Sequence, residues 1–200
     1  MANHVDNYIQ VQGNDAVKAE WETLFIKYGE KIERPSYHGD GTIEIWEYHE
    51  IQKHPFLSGY TEDNWYDWGC ENIGAKWAHI EYADEGMVNI TSAWSAITPY
   101  VEELYFYLKE IDEDVIIEHR YEDEFRNFVG VVSWADDCTD EVSLDDEDIQ
   151  EMMERKFGKK YWEAEDWDWS DYHEEAECVP DEYQDSLIYT FFEENGATWH

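Results

Sequence analysis

The chain has 200 residues, room for one domain with a substantial core, and it carries 50 acidic against 13 basic residues, a formal net charge of −37. That imbalance excludes a direct grip on nucleic-acid phosphates, which depends on Lys and Arg, and argues against attachment to an anionic membrane face. It does not mark an acidic disordered chain, because 11 Trp, 15 Tyr and 8 Phe require burial.

In HVDNYIQVQ, Val5, Ile9 and Val11 keep one parity, the period-2 pattern of a strand with one buried face. Asn14 can cap a following helix, in which Val17, Trp21, Leu24, Phe25 and Tyr28 share one face. Residues 30–75 are less regular. TIEIWEY reads as a short strand and NWYDWGCENIG as an ordered aromatic loop. Ala78, Ile80 and Tyr82, then a turn at Asp84-Glu85-Gly86, then Val88, Ile90 and Ser92, predict a hairpin. Thr98-Pro99 opens a helix with a capping hydroxyl, and Val101, Leu104, Tyr105 and Leu108 form its buried stripe. VIIEHRYED and FVGVVSW predict two paired strands.

This order gives an α+β fold, a ferredoxin-like βαββαβ sandwich with an inserted aromatic loop. Residues 1–135 form the expected core domain. Residues 136–200 are expected to be an acidic helical extension packed on it, opened by a capping box at Ser143 and Asp146. Charge is lopsided: residues 1–100 hold six basic and 17 acidic residues, residues 101–200 seven and 33.

Cys70, Cys138 and Cys178 are odd in number and far apart, so a disulfide framework is not expected. With no signal peptide and no long apolar run, the chain reads as soluble and cytoplasmic.

The segments NWYDWGCENIGAKW and NITSAWSAITP resemble the YubB-type ferredoxin-like proteins of bacteriophages and conjugative plasmids. The matching positions are Trp65, Tyr66, Trp68, Glu71, Asn72, Gly74, Lys76, Trp77, Thr91, Ala93, Trp94, Ser95 and Pro99, with His119, Tyr121, Phe128 and Gly130 later. Ile73, Ala75 and Ala96-Ile97 depart from the pattern. The resemblance spans about residues 5–135 and implies a ferredoxin-like fold and a mobile-element origin, with no reaction attached.

Chemistry-bearing motifs are sparse. There is no Gly-x-Ser-x-Gly, Walker or Cys/His signature, so no catalytic residue and no cofactor is assigned. Asp166, Asp168, Ser170 and Glu177 fall at calcium-loop spacing, but Asp171 stands where glycine is needed; chance in an acidic stretch explains the spacing, and no metal is assigned. Trp65, Trp68, Trp77 and Trp94 read as core, with a ligand-lining loop as the alternative.

Dense carboxylates offer a basic cleft the field it expects from a nucleic acid. The expected function is therefore a non-enzymatic inhibitor that mimics nucleic acid and blocks a basic nucleic-acid-binding defence complex of the host, CRISPR-Cas or a restriction system. Alternative targets are RNA polymerase, a nucleoid protein or a repair nuclease; a different class is an accessory enzyme or small-ligand protein. The expected partner-binding residues are Asp145, Asp146, Glu163, Glu165, Asp166, Trp167, Asp168, Trp169, Asp171, Glu174, Glu175 and Glu177. Here charge steers and tryptophan supplies desolvated area.

Overall fold

The computed structural model describes residues 3–27, 30–37, 43–124, 127–145, 147, 148 and 151, with the backbone alone between 27 and 50. Eight strands form one antiparallel sheet: β1 His4–Gln12, β2 Glu30–Tyr37, β3 Ile43–Glu50, β4 Ala78–Asp84, β5 Met87–Ala93, β6 Ile116–Asp123, β7 Phe128–Ala135 and β8 Cys138–Asp145. Among the described residues it is accompanied by the α-helices α1 Asp15–Trp21, α2 Trp65–Asn72 and α3 Thr98–Lys109. The strand order is β2-β3-β4-β5-β1-β6-β7-β8. The expected mixed α+β class holds, but the sheet is twice the width of a four-stranded βαββαβ unit.

β1 lies in the middle, pairing with β5 along His4–Gln10 and with β6 along Val5–Gln12. Its inward positions Val5, Ile9 and Val11 join one core cluster with Val17, Trp21, Leu24 and Phe25 after them and with Val101, Leu104, Tyr105 and Leu108 of α3. The two predicted helical stripes are thus buried as expected; Tyr28 lies outside the described residues. The first stripe changes geometry midway, because α1 passes into a π-helical segment, Glu22–Lys27. Trp21 and Phe25 pack there with ring centroids 4.4 Å apart.

Caps and turns follow local chemistry, with two corrections. The Asn14 side chain accepts from the amides of Ala16 and Val17, as predicted. α3 has Ile97 at its N-cap and no side-chain cap, so the Thr98 hydroxyl does not play the expected part; the start is set by Pro99, whose fixed φ suits a first turn. The predicted β4–β5 turn is present, with Gly86 at φ +80. Instead of Ser143 and Asp146, Asp145 and Asp148 cap reciprocally: Asp148 N–H donates to Asp145 Oδ1 at 3.0 Å and Asp145 N–H to Asp148 Oδ2 at 3.4 Å. Ser143 is already committed to β8, opposite Gly130.

Three segments differ from expectation. Residues 30–37, read as irregular, form β2 and pair with β3 from Glu30↔Glu50 to Tyr37↔Ile43. Trp65–Asn72, read as a loop, is α2. Cys138–Asp145, assigned to the helical extension, is β8 and pairs with β7 along its length. The sheet therefore runs past the expected boundary at residue 135. Beyond β8 the expected helical extension lies outside the described residues, apart from 147, 148 and 151, which are helical.

Candidate partner-binding surface

Of the twelve expected binding residues, Asp145 alone is described; it is exposed at the end of β8. Asp146, Glu163, Glu165, Asp166, Trp167, Asp168, Trp169, Asp171, Glu174, Glu175 and Glu177 lie outside the described residues, as do Ser170 and Cys178. The second acidic run, Asp136–Asp148, is largely placed. Asp136 and Asp137 form the two-residue β7–β8 turn with φ +50 and +61, the left-handed pair that a tight hairpin needs and that Asp tolerates better than most residues. The Lys109 ammonium at the end of α3 ties down the Asp137 carboxylate, and that pairing raises the lysine pKa. Asp140 and Glu141 follow on β8, every residue of which is exposed except the half-buried Leu144.

β8 is fastened to the sheet by more than its ladder. The Tyr121 hydroxyl on β6 reaches across β7 and donates to Glu141 Oε1 at 3.2 Å. It passes over Gly130, where an added Cβ would meet that hydroxyl at 2.3 Å. Burial, with Glu141 beside it, pushes the phenol pKa up to about 12. The carboxylate that Tyr121 engages is thereby held in place at the sheet edge.

A second surface gathers around α2 and the end of β5. The four tryptophans expected in the core divide: Trp68 is buried, Trp77 half-buried, and Trp65 and Trp94 are 44% and 50% exposed. The expectation of a common core role is corrected for Trp65 and Trp94. The first turn of an eight-residue helix places Trp65 and Tyr66 outward while Trp68 turns in, donating its indole N–H to Ser58 O at 2.7 Å. Gly69 lets α2 press on the following loop, since a Cβ there would sit 3.0 Å from Ala75 O. Trp94 has φ +70, unusual for a bulky side chain. Its neighbours hold it there: Trp94 N–H donates to Asn3 O, Ser92 Oγ to Ser95 O, and Ser95 Oγ to Gly74 O. Lys76 Nζ stands 5.0, 5.7 and 6.0 Å from the ring centroids of Trp94, Tyr66 and Trp65. Lys76 thus makes cation–π contacts at the surface. Asn72 meets a carbonyl, donating to Trp68 O at 2.9 Å.

The core holds a polar centre that sequence reasoning missed. Asn7 is fully buried, sharing the inward parity of Val5 and Ile9. Its Nδ2 lies 2.9–3.0 Å from Val5 O, Ile90 O and Ser92 Oγ. Its Oδ1 accepts from Ile97 N–H at 3.1 Å and faces His119 Nε2 at 3.0 Å. Because Oδ1 can only accept, His119 carries its proton on Nε2. Burial lowers the His119 pKa to about 3. The buried His54, 2.8 Å from the Tyr100 hydroxyl, is lowered by burial to about 4. These neutral imidazoles join β1, β6 and the α3 N-terminus within the core. Among the described residues no group of three or more His, Cys, Asp or Glu is arranged to hold a metal ion. No described helix is long and apolar enough to cross a membrane.

Compared with family models, curated proteins and solved structures, the chain has no match.

Proposed function

We propose that the protein is a non-enzymatic inhibitor encoded by a phage or plasmid. It presents carboxylates in place of a nucleic-acid backbone and blocks a basic nucleic-acid-binding complex in the host cytoplasm, first among them a CRISPR-Cas or restriction complex. The observation that carries this reading is a charge of −37 on a chain with a packed aromatic core. A rigid scaffold holds carboxylates at fixed positions, as a nucleic acid does and a disordered acidic tail does not. Asp136, Asp137, Asp140, Glu141 and Asp145 on the β7–β8 hairpin are exposed at one end of the sheet, and Lys109 pairs with Asp137 among them. Such a field speeds encounter with a positive cleft and repels nucleic acid itself.

The finer fold belongs to the same proposal. The inner strands β4-β5-β1-β6, with α1 after β1 and α3 after β5, support a ferredoxin-like core. β2-β3 extend it on one side and β7-β8 on the other.

Converting Asp166, Asp168, Asp171, Glu174, Glu175 and Glu177 to their amides tests the reading. Size is kept and charge is lost. Binding to the basic partner should weaken more than about tenfold, over about 1.4 kcal/mol, while Tm holds or rises. Unchanged binding would move the interface to the β7–β8 hairpin.

A further inference from the structure

We infer that the exposed Trp65, Tyr66 and Trp94 surface is a docking site for an arginine side chain of a basic protein. This rests on the basic-partner reading and deepens it by supplying the desolvated anchor that charge alone lacks. Three large aromatic side chains, 44%, 45% and 50% exposed, stand together, whereas the other described Trp, Tyr and Phe rings are buried or half-buried except Tyr82 and Phe106. Exposed aromatic clusters of this kind form interface hot spots, where Trp, Tyr and Arg are enriched.

The cluster is held in shape. Trp94 keeps a left-handed backbone at φ +70, fixed by the hydrogen bonds from Asn3 through Ser95 to Gly74. Strain of this sort persists where surroundings over-determine it, and it concentrates at binding sites. Lys76 makes no ion pair among the described residues, although the chain carries 50 acids; its ammonium faces the three rings instead. The rings are thus already oriented to receive a cation, and roughly half of each remains open.

Charge selects the occupant. Glu62, Asp63, Asp67 and Glu71, all exposed on α2 or the turn before it, outnumber the single Lys76 ammonium. A cationic group is therefore favoured over an anionic ring such as a nucleotide. A guanidinium fits better than an ammonium, because it is planar, weakly hydrated and stacks on aromatic faces while its N–H groups reach carboxylates.

The test uses the full-length protein with a short oligoarginine peptide and its oligolysine counterpart, titrated at about 0.3 M NaCl so that exposed charge is screened. The wild type should prefer the arginine peptide by about tenfold. Trp65→Ala/Trp94→Gly should bind the two peptides within about twofold of each other, with Tm held, since Gly relaxes the left-handed position. Should that variant fold poorly, the wild-type preference decides. Equal, salt-sensitive binding of both peptides by the wild type, or a preference undiminished in a folded variant, would overturn the inference and leave the basic-partner reading standing. Absence of binding by either peptide even at low salt would overturn both.

Discussion

Replacing Asn7 with Leu should cost the fold at least about 4 kcal/mol, read as a fall in Tm of about 10 °C or more. Leu keeps the branched shape and the number of heavy atoms and is the larger residue, so no cavity opens and the loss is chiefly polar. The His119 Nε2–H, the Ile97 N–H and the Ile90 carbonyl would each lose a partner in a region closed to water. A buried polar group left unmet costs roughly 1–3 kcal/mol, and each kcal/mol moves Tm by about 2–4 °C in a domain of this size. Total stabilities run to about 5–15 kcal/mol, so the variant would sit near the threshold of folding. Thermal unfolding followed by near-UV circular dichroism checks this. A Tm within about 3 °C of wild type would mean that the network contributes little.

Acid should destabilise the protein before its carboxylates titrate. His54 and His119 have folded-state pKa values of about 4 and about 3, against the ordinary 6.5. Between these limits the unfolded chain binds more protons than the folded one, so stability rises with pH. It is complete above about pH 6.5 and is lost as pH falls through 6 and 5. At about 1.4 kcal/mol per unit for each imidazole, the two together remove about 4 kcal/mol by pH 5. Two effects oppose this. Protonation relieves repulsion among 50 acids, and burial has raised the pKa of Asp6 and Glu118, whose ionised forms therefore cost stability. The histidine effect is expected to dominate between pH 6.5 and 5, the window set by the two imidazole shifts. Urea unfolding at pH 7, 6 and 5 should show the midpoint falling, with a flatter slope in His54→Gln and His119→Gln. A midpoint constant over that range would contradict the buried-neutral assignment.

Much of the central sheet was legible because burial imposes periodicity. β1, β6 and the two long apolar stripes each bury one face, and alternation or helical spacing records it, while β7, buried from Val129 to Val132, reads as a β-branched run. α2 was not legible: it is eight residues long and buries Trp68 and Gly69 while leaving Trp65 and Tyr66 outside. Its anchor is the close approach of Gly69 to the Ala75 carbonyl, a contact that no periodicity announces. β8 hid for the opposite reason. CTDEVSLD is exposed almost throughout, so nothing in it alternates with burial; the left-handed Asp136-Asp137 turn and the ladder to β7 make it a strand. Of the proposed binding surface, the abundance of acids was plain, yet Trp65 and Trp94 were read as core and are exposed. Aromatic content signals burial on average, and position in a helix or at a strand end decides each ring. The signal for Asn7 was present as a polar residue in the inward parity of β1.

The central claim is that carboxylates on this scaffold occupy a cleft built for nucleic acid. The most direct measurement is displacement of duplex DNA from a purified CRISPR-Cas surveillance complex by the full-length protein, followed by fluorescence anisotropy from about 0.05 to 0.5 M NaCl. The account predicts competitive displacement whose affinity falls steeply with salt, chiefly through a slower association rate. Binding that leaves DNA in place, or an affinity flat across that range, would contradict it.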